Sequence, residues 1–189
     1  MKQQNDLVLT MTNKATAVGT IVHGVVSVVD AFQYAIDLNK KKRLKTMTCP
    51  GLVAGDRNIM SDLCKTANLD LLDDALRTQA TAIDTSLTWA DYGIAETGTI
   101  MLASDSEEMR IATMLARIHI ALLPISKIRS DTAGIEKELN DILKRDTPSY
   151  TAFITGPSRT ADIERVLAIG VHGPVEHHLL LIEEAKDHD

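Results

Sequence analysis

Apolar residues recur at strand and helix spacings in alternation along almost the whole chain. Ala17 to His23 is a β-rich run stopped by Gly24, which predicts the first strand. Ser27 stands three residues before Asp30, a variant capping box in which the serine oxygen accepts an N3 amide. Val28, Phe32, Ala35, Ile36 and Asn39 then fall on one helical stripe. Leu44 to Cys49 reads as a strand ended by Pro50-Gly51, and Asp56 or Asn58 opens a helix with Ile59, Leu63 and Ala67 on one side. Leu69 to Leu72 is a short apolar run. A weak helix, Asp74 to Gln79, leads into a strand at Ile83 to Thr88.

The second half repeats the alternation. Ile100 to Ala103 is a strand candidate. Ser104 and Glu107 form a second capping box, with Ile111, Met114, Leu115 and Ile118 as the buried face. Ile118 to Leu123 is a strand closed by Pro124, and Ile135, Leu139, Ile142 and Leu143 mark an amphipathic helix. Tyr150 to Thr155 reads as a strand, Thr160 to Ala168 as a helix, and His178 to Ile182 as the last strand. Strand and helix in this order predict an α/β fold, a mostly parallel sheet with helices on both faces. No internal repeat and no low-complexity segment interrupts it. Gly51 to Gly55 is the loosest stretch and is too short to separate two cores.

Composition narrows the picture. The 189 residues, 44% of them apolar, suit one domain over 1–189, large enough to bury about 70% of its unfolded surface without a staple. Cys49 and Cys64 provide neither a disulfide framework nor a four-ligand cluster, and two free thiols fit a reducing compartment. Twenty basic and 26 acidic side chains give a net charge of −6, and there are six aromatic residues. A nucleic-acid binder needs a basic field or stacking platforms, and this chain has neither. The longest uncharged stretch, Ala15 to Val29, is too short for a membrane span and carries Gly19, His23 and Gly24. Asp6 and the lack of a small-x-small site after Val29 argue against a signal peptide, so the cytoplasm is the expected location. The basic run Lys40 to Arg43 closes a helix, where cations complement the dipole; a phosphate or partner contact is the other reading.

In open α/β sheets ligands sit beyond the carboxyl ends of the strands, and three segments are candidates for that place. In Gly93 to Met101, Glu96 precedes the turn Thr97-Gly98-Thr99. A carboxylate there can act as base, acid or nucleophile, or be a surface glutamate beside a tight turn. In Phe153 to Glu164, a strand runs into Gly156-Pro157, and Ser158, Arg159 and Thr160 open the expected helix with Asp162 in its first turn. Free amides, hydroxyls and a guanidinium would converge on an anion there. Alternatively Ser158 or Thr160 only caps, and Arg159 pairs with Asp162 or Glu164. In Val171 to Glu184, His172, His177, His178 and Glu176 invite a metal reading. Adjacent residues of a strand point to opposite faces, so His177 and His178 cannot easily share an ion, and no metal is expected. His172, in a Gly-Val-His-Gly-Pro loop, suits a hydrogen-bonding or acid/base role. His119 lies in an apolar strand near its end, as a structural histidine or a catalyst. No phosphate loop, dinucleotide fingerprint, nucleophile elbow or His-Glu-x-x-His helix is present.

Together these segments resemble the lactate-utilisation (LUD domain) family, in particular its short members. The resemblance is carried by IAETGT at 94–99, Arg110 with HIALL at 119–123, ITGPSRTADIE at 154–164 and GVHGP at 170–174. It covers residues 80–182 well and the first 80 only by order of elements. Ala116-Arg117 stands where the family tends to have a Pro-Pro pair.

The resemblance implies a fold of the sugar-phosphate isomerase and CoA-transferase type (NagB/RpiA/CoA transferase-like). It also implies a part in oxidising L-lactate to pyruvate beside two cysteine-rich iron–sulfur proteins. This chain lacks their cysteine clusters, so it is expected to bind no cofactor itself and to act as a non-redox subunit holding a small anionic ligand. A homo-oligomer is compatible with that role. Carried over by motif, Glu96 and His172 are the catalytic candidates. Thr97, Gly98, Thr99, Gly156, Ser158, Arg159, Thr160 and Asp162 are the ligand-binding ones. A stand-alone enzyme acting on an acyl, CoA or sugar-phosphate substrate through Glu96 is the alternative, by fold analogy with CoA transferases.

Overall fold

The computed structural model describes residues 2–73, 75–144, 150–160 and 168–183. It opens with a helix the sequence pattern did not announce, α1 (Lys2–Ala17). Among its residues of described burial, Met11 and Ala15 are the fully buried ones. A stripe that thin gives little periodic signal, and the β-rich reading of 17–23 took its last residue. Strand β1 (Ile21–Val26) therefore starts later than expected and runs on through Gly24. Helix α2 (Val28–Lys42) has both halves of the expected capping box. Ser27 Oγ accepts from the Asp30 amide at 3.1 Å, and the Asp30 carboxylate accepts from the Ser27 amide at 3.3 Å. Such a cap stabilises by about 1 kcal/mol. Phe32, Ala35, Ile36 and Asn39 are buried, as their spacing requires, and Lys40, Lys41 and Lys42 occupy the last turn.

Next come β2 (Thr46–Thr48), α3 (Ala54–Ala67), β3 (Asp70–Leu71), the single turn α4 (Leu76–Gln79) and β4 (Thr85–Trp89). Helix α3 buries Met60 and Cys64, and Ile59 of the expected stripe stays 42% exposed. Then follow β5 (Tyr92–Ile94), β6 (Thr99–Ser104), α5 (Glu107–Leu115), β7 (Ile118–Pro124), β8 (Ile128–Arg129) and α6 (Glu136–Leu143). The cap of α5 is Ser106, not Ser104: Ser106 Oγ accepts from the Met109 amide. The two-residue shift turns Ala112 and Thr113 inward and leaves Met114 and Leu115 half exposed. The chain ends in β9 (Tyr150–Ile154), β10 (Arg159–Thr160), β11 (Ala168–Ile169) and β12 (Glu176–Ile182).

Six strands form an all-parallel sheet in the order β1-β12-β7-β4-β2-β3. Its centre is β7, whose residues from Ile118 to Leu123 are all buried, as expected of a strand covered on both faces. One face packs Ile120, Leu122, Leu180 and Ile182 against Phe32 and Ile36 of α2 and Met60 of α3. The other packs Ala121, Leu123, Leu179 and Leu181 against Met11 and Ala15 of α1 and Ile100 of β6. Each Leu, Ile, Met or Phe among them, removed from water, contributes about 1.5–3 kcal/mol.

Two features depart from a single parallel sheet. The strands β8-β5-β6-β9 form a separate mixed sheet, with β6 antiparallel to both β5 and β9. The ends of the expected 160–168 helix are instead paired antiparallel, Arg159 with Ile169 and Thr160 with Ala168. The ladder is extended by the Gly170 amide donating to the Ser158 carbonyl, with Gly170 at φ +76° turning the chain away. Residues 161–167, including Asp162, lie outside the described residues. Among the described residues no helix is long and apolar enough to cross a membrane.

Candidate functional site

The two motif-bearing turns meet at the carboxyl end of α1. Gly98 has φ +67°, and a Cβ there would lie 2.2 Å from the Ala15 backbone nitrogen. Gly156 has φ +73°, and its Cβ would lie 2.4 Å from the Val18 carbonyl oxygen. Both glycines are thus required twice over, by conformation and by close approach of backbone to backbone. A chain of hydroxyls joins the turns: Thr97 Oγ1 to Thr99 Oγ1 at 2.7 Å, and Thr99 Oγ1 to Thr155 Oγ1 at 2.7 Å.

Glu96 is exposed on its turn, held by its own amide donating to the Ser130 carbonyl. It does not line the cleft described next. Arg159 does reach that cleft, but its guanidinium Nη2 donates to the Val18 carbonyl at 2.5 Å, just past the end of α1. Gly19, at φ +88°, makes room for it, because a Cβ there would lie 2.3 Å from Nη2. Among the described residues, Arg159 and Thr160 lie in the β10 strand rather than in the first turn of a helix, and 161–167 lie outside the described residues. The arginine instead satisfies a carbonyl at the negative end of α1.

Beneath the second turn lies a cleft of about 320 Å³. Gly156, Ser158, Arg159 and His172 form its rim, and His119 and His177 its floor. His172 is exposed; Thr160, one residue along β10, is not part of the lining. The floor histidines are paired in register on β7 and β12, so they project to the same face, with ring centroids 5.2 Å apart. His119 Nε2 shares a hydrogen bond with Thr88 Oγ1 at 2.8 Å, and His177 Nδ1 one with Thr20 Oγ1 at 3.1 Å. The opposite ring atoms, His119 Nδ1 and His177 Nε2, are buried without a hydrogen-bond partner among the described residues. Ser86 Oγ, on the residue of β4 paired with His119, is in the same condition.

Burial sets the charge of this floor. Desolvation, followed by the neighbouring His177 and His178, holds His119 well below the ordinary histidine value. Desolvation, then His178, lowers His177 to about 4. Both rings are therefore neutral at pH 7. If each threonine hydroxyl donates to the ring nitrogen it touches, the free nitrogens carry the protons, and each of the two cleft-lining rings holds an unpaired N–H. An unmatched buried polar group costs about 1–3 kcal/mol, so the two on the cleft-lining histidines favour an occupant that can pair with them.

The cleft opens at the amino-terminal ends of the strands, not at the carboxyl ends where ligands were expected. Ser86, His119 and His177 are each the second residue of their strands. The reason is topological: after β4 the chain folds back through β5 and β6 along the face of the large sheet, rather than crossing at once through a helix. His119 stood among the sequence candidates and His177 only in a metal reading. The signal that would have joined them is the likeness of IHIALL and EHHLLL, each a parallel strand with histidine second. The alternation argument holds, since His177 faces this cleft and His178 the opposite side. Among the described residues, no three His, Cys, Asp or Glu side chains are grouped to hold a metal ion.

A model of the LUD domain matches residues 9–182. The chain belongs to the LUD domain family. The match starts inside α1 and so takes in the N-terminal elements where the motifs gave no guidance. Lactate utilization protein C of Halalkalibacterium halodurans is 36% identical over 110 residues, 56% of this chain and 47% of that protein. Its counterpart from Anoxybacillus flavithermus is 37% identical over 98 residues, 52% of this chain and 43% of that one. The alignments thus span less than half the length of these curated relatives. A crystal structure of a DUF162 family protein from Deinococcus radiodurans superposes with a TM-score of 0.64, covering 95% of this chain and 98% of that one. At 16% identity that likeness speaks for the LUD fold alone.

Proposed function

We propose that this LUD-family chain serves lactate utilization by binding a small organic acid in the cleft above His119 and His177. The observation that carries the reading is the pair of unpartnered ring nitrogens on the floor, His119 Nδ1 and His177 Nε2. Two neutral N–H donors side by side match the two oxygens of a carboxylate. The family relatives named for lactate utilization supply the substrate class. In this reading His172, in the cleft lining, donates to the bound acid. Ser158 beside it offers a second hydroxyl.

In this reading the chain is a non-redox component working beside two cysteine-rich iron–sulfur proteins, and it carries no cluster itself. Cys49 and Cys64 are both buried. Desolvation first, then nearby negative charge, raises both thiols, Cys64 to about 11. Thiols so disposed resist becoming the thiolates that ligate iron. The alternative of an acyl- or CoA-transferring enzyme built on Glu96 gains nothing from the geometry, because that carboxylate stands outside the cleft.

Calorimetric titration with L-lactate and pyruvate tests the proposal. Saturable binding is expected, weakened at least tenfold in His177→Phe, which leaves the ring volume but no donor. Sugar phosphates and CoA esters serve as controls. Binding of either control but neither acid, or equal affinity of wild type and His177→Phe, rejects the reading.

A further inference from the structure

On the other face of the sheet, against α2 and the edge strand β1, lies a second cavity of about 550 Å³. Its walls are apolar at Ile21 and Leu38, and its mouth carries Lys41 and Asp37, whose carboxylate accepts from Gln33 Nε2 at 3.0 Å. At its base runs a chain of hydrogen bonds that none of the family motifs touches. Tyr34 Oη lies 2.8 Å from His178 Nδ1, His178 Nε2 lies 3.2 Å from Glu176 Oε2, and Lys42 Nζ lies 2.7 Å from Glu176 Oε1. The His23 ring packs on Tyr34 with centroids 4.1 Å apart, and its Nε2 is buried without a partner among the described residues.

The proton positions in this chain follow from its ends. Burial opposes ionisation of Glu176, but hydrogen bonds from Lys42 and His178 outweigh it and hold the carboxyl below its ordinary range. A carboxylate only accepts, so His178 Nε2 carries the proton. Burial lowers His178 despite Glu176, so the ring is neutral and Nδ1 is an acceptor. Tyr34, raised by burial and then by Glu176, keeps its proton and donates it to Nδ1. The lone pairs of Tyr34 Oη are left as an acceptor backed by an imidazole and a carboxylate. That is the arrangement of a hydroxyl–histidine–acid triad with tyrosine in the hydroxyl place.

We propose that this cavity is a second ligand site, in which the Tyr34–His178–Glu176 chain receives the hydroxyl of a small phenolic acid. The ligand's hydroxyl donates to Tyr34 Oη, its ring lies against Ile21 and Leu38, and its carboxylate meets Lys41. A phenol suits better than an aliphatic alcohol because its proton affinity matches that of tyrosine, both near a pKa of about 10. Sharing is then balanced. The ligand keeps its proton and donates it to Tyr34 Oη, while Tyr34 donates to the neutral His178 ring and His178 to the Glu176 carboxylate, so the chain of hydrogen bonds runs one way and no proton is transferred. The site is separate from the cleft over His119 and His177, so either can fail without the other.

The test uses 4-hydroxybenzoate as probe, with benzoate and L-lactate as comparators, followed by amide NMR shifts and calorimetry on the full chain. 4-Hydroxybenzoate is expected to move the signals of Tyr34, Leu38 and His178 saturably, and to bind Tyr34→Phe at least tenfold more weakly. Benzoate, lacking the hydroxyl, should bind both proteins alike. Lys41→Ala, an exposed substitution, should weaken 4-hydroxybenzoate several-fold. No saturable shift, shifts confined to the other cleft, or equal affinity in Tyr34→Phe overturns the proposal. Nitrogen-15 shifts of the imidazoles give a check that needs no ligand and no variant. His178 is expected as the Nε2–H tautomer, and an Nδ1–H tautomer reverses the chain and overturns it too.

Discussion

His177→Gln isolates one buried histidine and tests whether the cleft floor is neutral. His177 is 2% exposed, and burial lowers it from 6.5 to about 4. An unfolded chain binds a proton at this position below pH 6.5, whereas the folded chain resists it until pH 4. Between those values the unfolded state holds more protons, so stability rises with pH. The contribution is fully present above pH 6.5 and is lost as pH falls through the folded value. At 1.36 kcal/mol per unit, the shift corresponds to about 3 kcal/mol. Glutamine keeps a polar side chain near Thr20 but does not titrate. Urea unfolding of both proteins from pH 7 to pH 4 then reads the difference of two curves, in which the carboxylates cancel. Wild type should lose about 3 kcal/mol more than His177→Gln over that range, with most of the divergence between pH 6 and pH 4. Parallel curves would show that His177 is not held neutral, and the two-donor floor would fall with it.

The turn at the end of α1 gives a sharper steric case. Gly98→Ala places a Cβ 2.2 Å from rigid backbone at a positive φ, so it should cost about 2–4 kcal/mol, read as a lowered urea midpoint. Gly24→Ala is its control, since nothing lies within 4 Å of a Cβ there, and it should change stability little. Arg159→Ala removes a charged donor from the Val18 carbonyl and should cost about 1–2 kcal/mol while leaving lactate affinity within a few-fold of wild type. A stable variant that no longer binds the acid would restore the anion-clamp role. Elemental analysis of freshly purified chain should find no stoichiometric iron or zinc, and one metal per chain retained through chelator dialysis would contradict the buried, protonated state of Cys49 and Cys64.

Elements with a strong local signal were legible in the sequence. The Ser27–Asp30 box fixed α2 to the residue, and the unbroken apolar run of β7 marked a central parallel strand. What failed was weakly amphipathic or decided at a distance. Helix α1 buries too little to show a stripe. The β10–β11 ribbon depends on Arg159 and Thr160 meeting partners ten and eight residues away, while helix-like spacing is a purely local cue. The site was half legible. Gly156, Ser158 and His172 line the candidate cleft, and Thr99 of the Gly98 turn reaches it only through its hydrogen bond to Thr155. Glu96 was not brought to the cleft. His119 and His177 are 58 positions apart, and only the sheet register makes them neighbours.

That division has a physical cause. Gly19, Gly98 and Gly156 each lack room for a Cβ because of something at the carboxyl end of α1: the Arg159 guanidinium, the Ala15 nitrogen and the Val18 carbonyl. The Thr97–Thr99–Thr155 hydroxyl chain ties the same turns together. The IAETGT and ITGPSRT segments that carry the family resemblance therefore look like a joint, where three backbone segments close on a helix end and tolerate few side chains. A joint of this kind constrains sequence as strongly as chemistry does, so a motif located there is weak evidence of catalysis. Strand alternation places the titratable groups elsewhere. On β12 it sends His177 to one cavity and His178 to the other, and a one-residue slip of that strand would exchange them. The register of β12 is fixed by seven pairings with β7, and through them by the packing of Leu179 and Leu181 on one face and Leu180 and Ile182 on the other. Any change that loosens those four side chains is expected to disturb both histidine sites at once, whereas a change at the α1 joint should act on the rim of the first cleft and leave the Tyr34 chain intact.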